Sequence, residues 1–184
     1  MELEFKPVVA GDIDRLRPFY GLRPNKTCDS VFLDSFLWKD YYHVQCAVSE
    51  GRAVLWLMEK DGQVSTAMPL CREEDLPYFF QQMVDYFSGV LHKPFYISLA
   101  DEEAVQCLNL DPALFEVEEQ VDLKDYLYSG EELRKLEGKK FVKKRNHLNG
   151  FKRTYEGRYE YRRLCCSDRH EVWQFMERWR QHKE

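Results

Sequence analysis

The chain has 184 residues, of which 44% are hydrophobic and 15% aromatic, and its formal net charge at pH 7 is −5. This composition can form the core of one ordinary domain, or of one domain and part of a second, and it excludes a disordered or fibrous chain. The longest apolar run, Ala53 to Met58, is too short to cross a bilayer, and the acidic N-terminus predicts no cleaved secretory signal. We therefore expect a cytoplasmic protein without a transmembrane segment.

Two short amphipathic helices are predicted near the start of the chain. Apolar residues recur at helical spacing over residues 13–20, directly after Asp12, whose side chain favours a helix start. The same spacing returns over residues 31–38 and leads into three aromatic residues, Trp38, Tyr41 and Tyr42. We expect these three aromatic side chains in the hydrophobic core.

Three antiparallel strands are predicted next. Residues 42–49 and 52–59 are rich in β-branched and aromatic residues, and Glu50-Gly51 separates them. A second turn signal, Asp61-Gly62, precedes a third strand that extends to Leu70. Tight turns between successive strands predict an antiparallel sheet.

Helices alternate with strands through the middle of the chain. The acids of residues 73–75 suit the positive end of a helix dipole, and apolar residues recur every three to four positions over residues 76–91. Residues 94–99 and 115–127 are predicted strands. Between them, Asp101 is predicted to cap a short helix.

The last third of the chain predicts further helices and one strand. Ser129 starts a capping box and a helix that ends at Gly138, residues 159–164 predict a strand, and Ser167-Asp168 starts a last helix. The predicted fold class is α+β (mixed α/β), with a mixed, largely antiparallel sheet flanked by helices. This order of elements resembles a GNAT-like acyltransferase module over residues 1–128. A basic helical connector and the beginning of a second such module would occupy residues 129–184.

Charge is distributed unevenly along the chain. Residues 1–137 carry 13 basic and 26 acidic side chains, whereas residues 138–163 carry ten basic and two acidic ones. A basic block of this kind is typical of a surface that binds a polyanion, such as nucleic acid or phosphate headgroups. The alternative is a solvated helix that the acidic part of the same protein neutralises. The candidate polyanion-binding residues are Lys139, Lys140, Lys143, Lys144, Arg145, Asn146, His147, Lys152 and Arg153.

The sequence contains no common motif for a cofactor or a metal. A coenzyme A site needs a glycine-containing turn whose backbone N–H groups hold the pyrophosphate at a helix start, whereas residues 69–75 contain three acids and no glycine. Cys165, Cys166 and His170 are a weak suggestion of a zinc site, and free, mostly buried cysteine thiols are the favoured alternative. We expect neither a cofactor nor a metal.

Five short stretches together resemble one known family. They are Cys28-Asp29-Ser30-x-Phe32, Trp38-x-x-Tyr41-Tyr42, Asp125-Tyr126-Leu127-Tyr128-Ser129, Leu136-x-Gly138-Lys139-Lys140-Phe141 and Lys143-Lys144-Arg145-Asn146-His147-Leu148-Asn149-x-Phe151. This pattern is similar to that of the phosphatidylglycerol lysyltransferase C-terminal domain family. The resemblance implies a tandem GNAT-like fold that moves an aminoacyl group from a charged tRNA to an acceptor, which in the best-known members is an anionic lipid.

The resemblance also implies roles for the candidate residues. The lysines and arginines would hold phosphates of a tRNA acceptor stem or of a lipid headgroup by charge. Asn146 and His147 could donate hydrogen bonds to a phosphate or carbonyl, although Asn146 could instead bond to the turn at Tyr128, and His147 could face solvent. Tyr126 and Tyr128 share one face of a predicted strand, where packing is favoured over base stacking. No residue is assigned as catalytic, because an activated ester needs only a positioned acceptor.

Three hypotheses about function stay open at this point. The chain could be part of an aminoacyl- or acyltransferase, with the reaction centre outside it and with an aminoacyl-tRNA or an anionic lipid headgroup as partner. It could be a non-catalytic module that binds RNA or another phosphate-bearing ligand. It could also be a structural domain whose basic helix pairs with acids of the same chain.

Overall fold

A computed structural model of the chain describes residues 3–22, 31–98 and 100–182. The chain divides into two compact units, Met1–Leu127 and Tyr128–Glu184. The predicted α+β class is confirmed, because the described residues form a four-stranded antiparallel sheet and seven α-helices, an arrangement consistent with a GNAT-like module. The assignment of residues 1–128 and 129–184 to two such modules stays a prediction.

The sheet belongs to the first unit and has the strand order β1–β2–β3–β4, with all neighbours antiparallel. Asp61 and Gly62 both have positive φ, 52° and 82°, as a two-residue hairpin turn between twisted strands requires. The three predicted strands form, but the third ends at Ser65 and not at Leu70, which makes only an isolated bridge to Val54. Strand β1 adds an edge strand that the sequence pattern does not predict. The strands are Lys6–Pro7 (β1), Gln45–Ser49 (β2), Ala53–Lys60 (β3) and Gln63–Ser65 (β4).

Strand β3 is buried on both faces. Ala53 and Leu55 belong to one hydrophobic cluster together with residues of helix α3 (Leu76–Tyr86), whereas Val54 and Trp56 belong to a second cluster. The second cluster includes residues of α1 (Ile13–Tyr20) and α2 (Phe32–Leu37). Because successive side chains of a strand point to opposite faces, β3 contributes to both clusters at once.

Helix α3 supplies much of the first cluster. A buried stripe at helical spacing follows the predicted pattern and continues into a π-helical segment, Phe87–Leu91, beyond which the chain turns at His92 with a φ of 52°. Helix α4 (Glu102–Leu108) begins as predicted at Asp101, whose carboxylate accepts a hydrogen bond from the Ala104 N–H at 2.8 Å. The buried residues of the stripe are Leu76, Phe79, Phe80, Met83 and Phe87.

Three predicted strands do not form in the described residues. Residues 94–98 make only a parallel bridge to Thr66, whose N–H donates to the Tyr96 carbonyl at 2.9 Å, and Leu99 lies outside the described residues. Residues 115–127 are irregular apart from one 3-10 turn, and residues 159–164 have no regular structure. The physical reason is that a strand needs a neighbour for its backbone hydrogen bonds, which β-propensity alone does not provide.

The prediction that Trp38, Tyr41 and Tyr42 lie in the core is wrong. Helix α2 ends at Leu37, and the three aromatic residues follow it on an exposed turn, with 49%, 52% and 37% of their surfaces accessible. Their rings contact one another with centroids 4.7–6.0 Å apart, and the Lys60 ammonium lies 4.2 Å from the Tyr41 centroid. These contacts shield the rings from water only in part.

The described part of the second unit contains three helices, α5 (Gly130–Lys135), α6 (Val142–Thr154) and α7 (Arg169–Gln181). Ser129 caps α5 as predicted, since its hydroxyl accepts a hydrogen bond from the Glu132 N–H at 3.4 Å. The helix ends before Gly138, because Leu136 has a left-handed φ of 51°. Large apolar side chains of α7 are exposed, namely Val172, Trp173, Phe175, Met176 and Trp179.

Candidate polyanion-binding site

The turn between α5 and α6 is held by Arg145. Its guanidinium donates hydrogen bonds to the backbone carbonyls of Leu136 and Gly138, the second at 2.9 Å. Carbonyls beyond a helix end have no helical partner, so this side chain satisfies them. The positive φ of 81° at Gly138 suits a glycine and directs the chain into α6. Arg145 is therefore directed at the backbone and fixes where the basic helix begins.

Lys140 is also engaged within the second unit. Its ammonium lies 2.7 Å from a carboxylate oxygen of Glu132 and 5.1 Å from the ring centroid of Phe141, which is buried. Exposed ion pairs of this kind contribute at most about 1 kcal/mol. A polyanion could therefore replace Glu132 as the partner of Lys140 at small cost.

Five further predicted cations are exposed and form no ion pair with any residue of 3–22, 31–98 or 100–182. Successive residues of an α-helix are rotated by about 100°, so neighbouring cations of α6 point to different sides of the helix. The result is a helix with positive charge on several sides. The five are Lys139, Lys143, Lys144, Lys152 and Arg153.

The polar candidates Asn146 and His147 are exposed on α6. Within the described residues, Asn146 makes no hydrogen bond to the turn at Tyr128. Tyr126 and Tyr128 are 87% and 56% exposed in irregular chain, so the expectation that they pack on a sheet face is wrong. Both amide and imidazole are thus open to a ligand approaching from solvent.

Asp168 fastens the start of α7 to the segment before it. Its two carboxylate oxygens accept hydrogen bonds from the Arg162 guanidinium at 2.6 and 2.7 Å, and one also accepts the Cys165 N–H at 2.8 Å. The Arg162 guanidinium, followed by the Cys165 N–H, holds the pKa of Asp168 well below its usual range. Sequence reasoning treats Arg162 only as part of the basic block, because a bidentate pair six residues apart in irregular chain has no local pattern.

Replacement of Asp168 by Asn is expected to loosen the N-terminal turn of α7, because Asn cannot form the charged bidentate pair with Arg162. A depressed pKa stabilises the fold above the unfolded value of about 3.9 and ceases to do so as the pH falls through the folded value. Thermal unfolding of the variant and the parent should therefore differ at pH 7 and converge at pH 1. Glu171→Gln, the same loss of charge in the first turn of α7, should cost less, because Glu171 acts on Arg162 only through space. A pH-independent difference for Asp168→Asn would contradict the prediction.

The cysteines differ between the two units. Cys46 and Cys71 are buried and Cys107 is half-buried, whereas Cys165 and Cys166 are exposed, so the expectation of mostly buried thiols fails for this pair. Burial raises the pKa of the Cys46 thiol. Across the residues that the structure describes, no group of three or more His, Cys, Asp or Glu side chains could hold a metal ion. Cys28 lies outside that part of the chain.

The start of α3, where a coenzyme A pyrophosphate would be expected, is occupied by an internal ion network. The Arg52 guanidinium pairs with Asp75 and lies 3.2 Å from Glu50, and the Tyr78 hydroxyl donates to Glu50 at 2.7 Å. Arg52 therefore neutralises the acid nearest the helix. This arrangement supports the interpretation that the acids of residues 73–75 are structural.

Comparison with known proteins identifies the family. The family model described as phosphatidylglycerol lysyltransferase, C-terminal, matches residues 21–184. The chain belongs to this family. The match runs through the whole basic block, including every candidate residue of α6. No curated protein matches the chain.

A solved structure shares the fold of this phosphatidylglycerol lysyltransferase C-terminal family chain. The crystal structure of a conserved protein of unknown function from Bacteroides thetaiotaomicron VPI-5482 is similar with a TM-score of 0.84 at 24% sequence identity. The similarity covers 99% of the present chain and 60% of that protein, so the present chain spans less than two thirds of its length. Among the described residues, no helix is both long and apolar enough to span a bilayer.

Proposed function

We propose that this chain is the phosphate-binding part of an aminoacyltransferase, and that the cations of α6 hold the phosphate backbone of a charged tRNA. The observation that carries the proposal is the set of five exposed basic side chains around α6 that lack an acidic partner in the described residues. Membership of a family described by a lysyltransferase activity supports the same conclusion. The cations suit a ligand that carries many phosphates, and the family description supports the transfer of an aminoacyl group.

Aminoacyl transfer requires the side chains mainly to position the donor and the acceptor. The ester of an aminoacyl-tRNA is already activated, so transfer requires that donor and acceptor be held together and that the attacking group lose its proton. Lysine and arginine side chains bind phosphates by charge and by counterion release, without reading the base sequence. The acceptor in this proposal is an anionic lipid headgroup, whose phosphate presents the same chemistry to a basic helix.

The affinity for tRNA is expected to fall steeply with salt. If all five cations contact phosphates, the slope of log K against log salt concentration is about −4, and binding weakens roughly 250-fold between 50 and 200 mM salt. Fluorescence anisotropy of a labelled, uncharged tRNA with the whole chain measures this slope. The absence of binding at 50 mM salt, or a slope near zero, would contradict the proposal.

A non-catalytic polyanion-binding module is the second candidate. The Arg52–Asp75–Glu50 network at the start of α3 supports it only against an acyl-coenzyme A transferase, because these side chains pair with one another where a pyrophosphate would be expected. A transfer assay separates the two candidates, with lysyl-tRNA as donor, phosphatidylglycerol vesicles as acceptor and the full-length natural protein as catalyst. Lysyl-phosphatidylglycerol formation above the protein-free rate supports the transferase, whereas tRNA binding without turnover supports the binding module.

A further inference from the structure

Gly150 occupies the interior of α6 without an evident structural reason. Glycine is the least favourable residue for a helix interior apart from proline. A Cβ atom added at Gly150 would meet no atom within 4 Å in the part of the chain that the structure describes. Its backbone is helical, so no left-handed conformation requires glycine either. Neither packing nor backbone geometry explains this residue.

Gly150 shares one side of α6 with the candidate ligands for phosphate. The residues Lys143, Asn146, His147, Gly150 and Arg153 follow one another at intervals of three, one, three and three, which places them on the same side of a helix. Lys143 and Arg153, at the two ends of this row, are exposed cations without an ion pair in the described residues. We call this row the Gly150 face.

We propose that the sugar–phosphate backbone of an RNA strand lies along the Gly150 face and approaches the helix most closely at Gly150. This inference rests on the proposed function and assigns its ligand to one side of α6. Without a side chain at Gly150, a bulky phosphate–ribose chain can contact the helix backbone. Lys143 and Arg153 lie on either side to pair with its phosphates, and Asn146 and His147 can donate hydrogen bonds.

The length of the Gly150 face favours a polymer over a single headgroup. Ten residues separate Lys143 from Arg153, which corresponds to about 15 Å along the helix axis. One lipid phosphate cannot reach both cations, whereas a nucleic-acid strand presents one phosphate for each nucleotide. The two ends of the face can therefore bind the same molecule only if that molecule carries several phosphates.

The apolar residues of α6 bear on whether a membrane surface is the ligand, and the vesicle experiment below tests that alternative. A helix that lies in a bilayer interface needs a free apolar side to enter the lipid. Next to the Gly150 face, Phe151 contacts the rings of Tyr155 and Tyr159, at centroid distances of 4.9 and 5.0 Å, and stays 46% exposed. Aromatic residues of the same unit thus cover only part of the Phe151 ring, and the salt-dependent binding of a polymer remains the favoured mode because the cations of the face are spaced along the helix.

The test is a substitution that strengthens the helix but covers its backbone. The Cβ atom of Gly150→Leu would meet no atom within 4 Å, and leucine is a better helix former than glycine, so the thermal unfolding temperature should stay equal to that of the parent or rise. Its affinity for a fluorescein-labelled RNA hairpin with a four-nucleotide 3′ overhang should fall about tenfold, because the side chain holds the phosphates away from their donors. The matched control is Gly89→Leu in the first unit, where an added Cβ also meets no atom within 4 Å. This control should bind the RNA like the parent.

The outcomes separate the inference from the proposed function. If the parent binds no RNA, the proposed function fails and the inference fails with it. If the parent binds RNA and Gly150→Leu binds it equally well, the inference is overturned while the proposed function stands. Sedimentation with vesicles containing 30% phosphatidylglycerol tests the remaining outcome, because a loss confined to vesicle binding would assign the Gly150 face to lipid and overturn the inference.

Discussion

The double variant Lys143→Glu/Lys144→Glu is expected to bind tRNA roughly a hundredfold more weakly than the parent at 100 mM salt. Both side chains are exposed on α6 and lack an ion pair in the described residues, so they are free to contact phosphate. Reversal removes two attractive contacts and adds two repulsive ones at the same positions. Fluorescence anisotropy over a salt series measures the affinity, and the slope of log K against log salt concentration should become shallower by about 2.

The matched control for this prediction places the same change of net charge elsewhere. Arg17→Glu/Lys93→Glu reverses two exposed cations of the first unit and should leave most of the tRNA affinity intact. Circular dichroism should show that both double variants keep the helical content of the parent. Equal losses of affinity in the two variants would indicate a general effect of net charge and would contradict a site on α6.

Phe79→Ala is expected to have the largest effect on stability, about 3–5 kcal/mol of unfolding free energy. Phe79 is fully buried in α3, and its side chain packs in the cluster that joins this helix to β3. Truncation removes the transfer free energy of the ring and leaves a cavity that the neighbours fill only in part. Since domains are typically stable by about 5–15 kcal/mol, much of the stability of the first unit would be lost.

Urea denaturation followed by far-UV circular dichroism measures this effect as a lower midpoint. The control is Phe175→Ala on α7, where the ring is 58% exposed and truncation should change the unfolding free energy by about 0.5 kcal/mol or less. If Phe79→Ala and Phe175→Ala lowered the unfolding free energy by similar amounts, the prediction would be contradicted, because it depends on Phe79 being buried and Phe175 being exposed.

The sequence predicts the parts of the fold that depend on local periodicity and turn chemistry. The stripe from Leu76 to Phe87 repeats at the helical period and forms α3, and Asp61-Gly62 forms the hairpin turn because both residues adopt positive φ. Asp101 and Ser129 cap helices through hydrogen bonds only three residues away. In each case the interaction lies within a few residues of chain, so the local sequence contains it.

The strands and the aromatic turn show where local patterns are insufficient. Residues 159–164 have the composition of a strand, yet no strand lies beside them in the described residues, and they stay irregular. Trp38, Tyr41 and Tyr42 have the composition of a core, yet α2 ends before them and they remain exposed. Pairing and burial depend on what the rest of the chain places nearby.

The same division applies to the candidate site. The sequence by itself determined the basic block, its family and the exposure expected of its lysines, because charge density and motif spacing are local properties. Only the tertiary structure decided that Arg145 binds the carbonyls of Leu136 and Gly138 and that Arg162 pairs with Asp168. It also decided that Lys140 pairs with Glu132, whereas Lys143 and Lys144 form no ion pair in the described residues. The physical reason is that the sequence specifies the charge of a guanidinium but not the position of its hydrogen-bond partners. Those partners are brought within reach only when the chain folds.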